Sequence, residues 1–431
     1  MLESLNTHYI RPIRTFQRDA RLFLWMTVIN GIIFSGWQLF FNIFMLEKGF
    51  GREFLGLINS LPSLSGLFLG IPIGRLSDRI GRKPSLLIGI VFASLSLFGQ
   101  ISFQQPVWIA VMSALVGVFN MFLIVSVSPL MMKLSTVENR TLLFSLNYGL
   151  QTIAGAVGSV FAGQLPRLFG RLFNVGATSA FAYQAVLMTT IVIGTTALIP
   201  LWLMKEPKTS PSSDPRSPAG TMQTQPGPGS RGSTIPFRLT RLTVKLALPN
   251  LLIGFGAAIL IPYMNVFFKD RFQISDSLLG VLFSLSSLFI GVGSLIGPRL
   301  VTRLGGKIRT VAFTQFSSVI FMLMIGFVPS LWIAGAAALF RSALMNMSSP
   351  LYNAFCMEQT PEGEQGLVSS VLSIAWNAGW AVGPFISGLV QTAYGFTPLF
   401  ITTTLLYLTA ISVMWIFFGK TEVRFQPALA D

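Results

Sequence analysis

Residues 74–83 read Gly74-Arg75-Leu76-Ser77-Asp78-Arg79-Ile80-Gly81-Arg82-Lys83, a basic turn between two long apolar runs. A degenerate copy follows 224 residues later: Arg75, Leu76, Arg79, Gly81 and Lys83 recur as Arg299, Leu300, Arg303, Gly305 and Lys307. The correspondence extends well outside the turn. Gly31 and Asn42 match Gly254 and Asn265 at an offset of 223, and Gly56 matches Gly280 at 224. Trp108-Ile109-Ala110 matches Trp332-Ile333-Ala334, and Glu138 and Gly155 match Glu362 and Gly379, all at 224. Gly158 and Gly163 match Gly383 and Gly388 at 225. A charged loop repeated at about half the chain length, with its flanking segments, means that two copies of one helical bundle are fused.

The composition says what surrounds those bundles. Of the 431 residues, 52% are apolar and only 10% charged, against about 25% charged in a soluble domain, and the mean hydropathy is +0.67. The missing charge fits a surface that faces lipid. The net charge of +15 does not point to nucleic acid, because the basic residues sit in short loops between apolar spans. One cysteine, Cys356, and one histidine, His8, leave no internal disulfide and no metal site to expect. Arg11, Arg14, Arg18 and Arg21 crowd the first 21 residues, so no cleavable leader is expected there.

A membrane-crossing helix needs roughly 20 apolar residues. Twelve candidates are expected, near 22–46, 53–74, 85–103, 107–131, 142–164, 183–204, 243–268, 277–298, 309–328, 331–355, 366–391 and 395–418. With the N-terminus inside, the inner segments hold 23 Lys and Arg and the outer loops hold 6, so both termini are expected on the cytoplasmic side. The stretch 205–242 is rich in Pro, Ser, Gly, Thr and Gln and reads as a flexible tether. The expected division is therefore 1–204, a first six-helix bundle; 205–242, a cytoplasmic linker; and 243–431, a second six-helix bundle. Six spans separate the copies, so both halves share one orientation.

In this layout the chain resembles the major facilitator superfamily, whose signature between spans two and three is Gly-x-x-x-Asp-Arg-x-Gly-Arg-Arg/Lys. It stands complete here as Gly74, Asp78, Arg79, Gly81, Arg82 and Lys83. The resemblance implies an all-α membrane protein of twelve transmembrane helices in two pseudo-symmetric six-helix bundles. It also implies a central cavity lined by spans one, four, seven and ten, and alternating access by rocking. The second copy departs from the signature, with Thr302 in place of the acid and Gly306 in place of an Arg. Many proton-driven drug exporters of the family carry an Arg in span four and a Gly-Pro pair in span five; this chain has Ser113 and Gly158-Ser159 there.

Two sets of residues carry the functional reading. The first is a conformational gate of Gly74, Asp78, Arg79, Gly81, Arg82 and Lys83. In it Asp78 would cap the positive end of span eleven near Gly366, and Arg82 would pair with Glu138. The second is a solute pocket. Arg341 is a charge close to mid-membrane, expected to face a cavity or a partner and suited to holding an anionic group. Asn30, Phe34, Trp37, Gln38 and Phe41 form a stripe on span one. Asn120, Asn147, Gln151, Tyr263, Trp376, Asn377 and Trp380 add polar and aromatic groups on spans four, five, seven and eleven. Glycines spaced by four, at 66, 70 and 74, at 293 and 297, and at 379 and 383, mark faces for close helix contact, either between the bundles or within one.

The expected function is secondary transport of a small organic solute by alternating access. Anionic and amphipathic solutes, and coupling to an ion or proton, are left open. The protein belongs in the plasma or inner membrane, where a monomer suffices to enclose a pathway. The alternative is a transport-inactive sensor on the same fold, against which the short tails argue. An enzyme is not expected, since no intramembrane carboxylate pair appears, and neither a cofactor nor a nucleotide-binding signature is present.

Overall fold

A computed structural model describes residues 16–136, 139–205, 240–361 and 364–420. The first fifteen residues, most of the 205–242 linker, Glu138 and the C-terminal eleven residues lie outside the described set, as do the expectations placed on them. The described residues form twelve rods. They are α1 (Arg18–Glu47), α2 (Arg52–Ile80), α3 (Arg82–Ser102), α4 (Pro106–Leu134), α5 (Arg140–Leu172) and α6 (Ala180–Leu203), then α7 (Arg241–Phe272), α8 (Asp276–Leu304), α9 (Lys307–Phe327), α10 (Leu331–Gln359), α11 (Gln365–Tyr394) and α12 (Thr397–Phe418). The 30 residues of α1 reach about 45 Å, ample for a hydrocarbon layer of about 30 Å.

Local chemistry sets the ends and breaks. Gly81, at φ +97°, turns the chain between α2 and α3, a conformation that costs a side-chain-bearing residue dearly. Ser179, Thr240 and Ser275 cap the following helices by accepting from Ala182, Thr243 and Leu278 N–H groups, which satisfies donors that the first turn cannot pair. Inside α7, residues Ile261–Tyr263 tighten into a 3-10 turn at Pro262, because proline has no N–H to give the helix. Lys48, between α1 and α2, donates to the Ile101 and Phe103 carbonyls at 3.3 and 2.5 Å; burial there lowers its pKa from the ordinary lysine value.

The two sets of six pack alike. In the first, α1 meets α5 and α6, α4 meets α2 and α3, and α3 meets α6; α7 to α12 repeat each contact. The sets touch through α2 with α11 and through α5 with α8. One apolar cluster spans both sets toward one end, gathering Phe40, Phe44 and Ile58 with Phe267, Phe268 and Phe400. Toward the other end each set has its own core, around Phe23, Leu130 and Leu201 in one and Ile308, Phe355 and Phe418 in the other. That second end carries the 74–83 turn and is called the loop end below; the first is the far end.

Nine of the rods are long and apolar enough to cross a membrane by length and composition. The others, α5, α10 and α11, spend polar side chains on interhelical contacts or exposed faces: Asn147 and Gln151, Arg341 and Asn346, and Ser373 and Asn377. Large apolar side chains such as Trp202, Trp332 and Ile416 stand exposed on the rods, as lipid-facing residues do.

Candidate functional site

The residues that recur in the two halves meet one another at the far end. Asn42 on α1 donates through Nδ2 to the Pro262 carbonyl on α7 at 2.6 Å. Its mate Asn265 on α7 donates to the Leu39 and Gln38 carbonyls on α1 at 2.9 and 3.2 Å. Leu39 and Pro262 are themselves 223 positions apart, so the bonds Asn42 to Pro262 and Asn265 to Leu39 are one interaction made twice. Asn59 on α2 donates to Asn42 Oδ1 at 3.0 Å and so fixes which way the Asn42 amide points.

The glycine mates behave in the same way. A Cβ added to Gly56 on α2 would stand 2.7 Å from the Pro384 carbonyl and 3.1 Å from Gly388 Cα on α11. One added to Gly280 on α8 would stand 2.5 Å from the Ser159 carbonyl and 2.9 Å from Gly163 Cα on α5. Two equivalent backbone crossings therefore join the halves. By contrast, the glycines spaced by four pack inside their own halves: Gly66 and Gly70 face Met121, Gly293 and Gly297 face Ala343 and Met347, and Gly379 and Gly383 face Phe255 and Ala258. The spacing defines a face and not the helix it meets.

Polar side chains ring these crossings. Tyr183 on α6 is fully buried and donates to Asp276 Oδ1 and Oδ2 at 3.1 and 3.2 Å. Lys269 on α7 reaches Asp276 at 2.5 Å and the Tyr183 hydroxyl at 2.9 Å. Asp276 is 5% exposed, which makes this a buried phenol–carboxylate–ammonium cluster shared by both halves. On the other crossing, Arg52 pairs with Asp270 at 2.5 Å, and Thr392 donates to Glu53 at 2.8 Å.

At the loop end the signature residues bind within their own half. Asp78 pairs with Arg82 on the next turn. Arg82 also donates to Ser77 Oγ at 2.9 Å, and Ser77 is hydrogen-bonded to Ser126 on α4. Lys83 reaches the Trp202 and Met204 carbonyls at the end of α6 at 2.9 and 2.5 Å. Gly74 is buried in α2 and Arg79 is exposed. A Cβ at Gly366 would meet nothing within 4 Å, and no side chain caps the start of α11, so Asp78 does not cap it in this conformation. Glu138, the expected partner of Arg82, is outside the described residues.

The expected pocket residues separate into three groups. Phe34, Gln38, Asn120 and Gln151 are exposed, and Asn30, Trp37, Trp376, Asn377 and Trp380 are half-buried. Trp37 stacks on the buried Phe41 at 4.6 Å. Asn147 and Tyr263 hold helices together: Thr27 on α1 donates to Asn147 Oδ1 at 2.7 Å, and the Tyr263 hydroxyl donates to the Pro384 carbonyl at 2.9 Å. Arg341 stands apart, 6% exposed, with Nη2 3.4 Å from the Tyr407 hydroxyl of α12. The sequence reading passed over Asn346 and Asn353 on α10, both exposed residues. It also passed over Tyr183 and Asp276. The signal for that pair was present in part: an acid in the first turn of a span, behind a Ser cap.

Comparison with known proteins places this geometry. Residues 23–246 and 246–429 each match the Major Facilitator Superfamily. The multidrug resistance protein MdtG of Citrobacter koseri is 27% identical over 202 residues, covering 45% of this chain and 48% of MdtG, about half of that relative's length. The multidrug resistance efflux pump PmrA of Streptococcus pneumoniae is 22% identical over 374 residues, covering 85% of this chain and 87% of PmrA. Among solved structures, an inward-facing, occupied bacterial homologue of the human lysosomal transporter Spinster superposes with TM-score 0.73 at 13% identity, over 95% of this chain and 98% of that one. The nucleoside transporter NupG superposes with TM-score 0.71 at 12% identity, over 95% and 100%.

Proposed function

Because the chain belongs to the major facilitator superfamily, we propose that it is a secondary transporter of an amphipathic organic solute, captured here closed at the far end and open at the loop end. The observation that carries this reading is the split core: one apolar cluster joins the halves at the far end, and two separate cores lie at the loop end. Such an arrangement has a natural second state, in which the far-end bonds release and the loop end closes. Residues 1–204 and 243–431 would be the rocking bundles and 205–242 their tether. The excess of Lys and Arg in the segments expected inside supports a cytoplasmic loop end, with both termini on that side.

The opening is polar without being charged. Gln38, Asn120, Gln151, Asn346 and Asn353 are exposed amide-bearing residues on α1, α4, α5 and α10. An amide turned to hydrocarbon loses its hydrogen bonds at a cost of several kcal/mol, so these groups line water between the halves. With the exposed ring of Phe34 they make a wall of apolar surface and scattered hydrogen-bonding groups, the usual pocket for a small amphipathic molecule. Arg341, turned toward Tyr407 inside the second half, is not part of that wall. The multidrug relatives fit this solute class.

Reconstituted into liposomes, the protein is expected to move an amphipathic dye or drug across the bilayer. Asn120→Ala together with Gln151→Ala should raise the KM for that solute several-fold with little change in the amount of folded protein. Binding without flux under any gradient overturns the transporter reading. Asp78→Asn tests the loop-end gate. Loss of the carboxylate that would cap α11 after closure should lower flux about fivefold or more, since a capping charge contributes about 1 kcal/mol or more in a partly buried site. Thermal unfolding should be almost unchanged, because Asp78 is exposed and pairs only locally here. Unchanged flux in this variant removes the gate.

A further inference from the structure

Arg341 sits deep in the second half with little to hold it. It is 6% exposed, its Nη2 makes one long hydrogen bond of 3.4 Å to Tyr407, and its Nε has no partner. Among the described residues no Asp or Glu pairs with it. A buried guanidinium without a counter-charge is strongly unfavourable.

Helix register shows what surrounds it. Gly326 on α9 faces Phe400 on α12, and Gln315 on α9 meets Ser348 on α10 at 3.2 Å. Both pairs of helices run antiparallel. Counting from these contacts, Arg341 is level with Met322 on α9 and with Thr404 on α12. Ser318 is one turn from Met322 on the same face, level with Tyr407, and Val319, Met322, Ala338 and Tyr407 belong to one packed cluster. The Ser318 and Thr404 hydroxyl oxygens are both buried and without partners. Three unspent donors, one of them charged, thus lie at about one level on α9, α10 and α12. Gln315, whose carbonyl oxygen is also unpartnered, is about two turns away by the same count.

We propose that the second half encloses a small monovalent anion of the halide class, held by Arg341 Nε and the Ser318 and Thr404 hydroxyls beside Tyr407. A water would satisfy hydrogen bonds there but leave the guanidinium charge uncompensated, whereas an anion does both. The site is separate from the solute wall and does not depend on which solute is carried.

The test is thermal unfolding of the purified full-length protein in sodium chloride and in sodium gluconate at equal ionic strength. Chloride should raise the wild-type midpoint by at least about 2 °C, saturably. In Arg341→Gln the chloride increment should vanish. If that variant does not fold, Ser318→Ala with Thr404→Val serves instead and should shift half-saturation about tenfold or more to higher chloride. An equal midpoint in chloride and gluconate for the wild type overturns the proposal and leaves a water in the site. So does an increment of unaltered size and affinity in the variants, which would place the anion elsewhere.

Discussion

Gly280→Val is expected to abolish most transport while leaving the protein folded. The added Cβ would fall 2.5 Å from the Ser159 carbonyl oxygen and 2.9 Å from Gly163 Cα. Both are backbone atoms, so no rotamer change relieves the overlap, and α8 must move off α5. Overpacking of this kind costs about 1–3 kcal/mol, and the cost falls on the conformation closed at the far end. A penalty of that size lowers its population about 5- to 160-fold relative to the other state. Flux should fall about tenfold or more, and a cysteine introduced near Gln164 should become accessible to a membrane-impermeant maleimide from the far side. The background is favourable, since the native Cys356 is buried. Gly56→Val, at the equivalent crossing, should act in the same direction. Undiminished flux with no gain in accessibility would mean that the crossings are not where the halves part.

The second large effect is at Asp276. Replacing it by alanine leaves Lys269 and the Tyr183 hydroxyl facing each other without the carboxylate that both now bind. Removing one partner of a buried ion pair costs about 3–5 kcal/mol. Lys269 retains 18% side-chain exposure, so the lower part of that range applies, and the unfolding midpoint should drop by about 5 °C or more. Asp276→Leu combined with Lys269→Met should recover part of the loss, because it removes the orphaned charge together with its partner. The more exposed pair Arg52–Asp270, at 30% and 40% side-chain exposure, provides the contrast. Asp270→Asn should cost less than about 1 kcal/mol. A double variant less stable than Asp276→Ala would show that packing, and not charge, holds this corner.

The features legible in the sequence were those that depend on spacing along one chain segment. Apolar runs gave each rod because a helix in lipid satisfies its own backbone, and the offset of Arg75 and Lys83 from Arg299 and Lys307 gave the duplication. Arg341 stood out because a lone charge within an apolar span is conspicuous. Partnership between distant segments was harder to see. Gly66 and Gly70 mark a face, but only packing shows that it meets Met121 inside the same half. Asn42 and Asn265 were visible as mates, yet nothing in the local pattern says that each reaches across to the other's helix. Tyr183 and Asp276 are 93 positions apart, on different halves, and each looks ordinary in its own helix. Burial decided the fate of Arg341: its place within an apolar span was readable, whereas its turn toward Tyr407 of α12 was not.

The paired glycine crossings also bear on ancestry. Gly56 touches Gly388, while their repeat mates Gly280 and Gly163 touch each other. A contact in which one patch meets a second, and the second meets the first again, is the isologous contact of a two-fold homodimer. A progenitor of half this length would therefore have assembled from two identical protomers by the same glycine embrace, before gene duplication joined them. Once joined, the halves could diverge: at the 224-residue offset Asp78 corresponds to Thr302, and Arg341 to Gly117. Expressed as separate polypeptides, today's halves should still find each other in the bilayer.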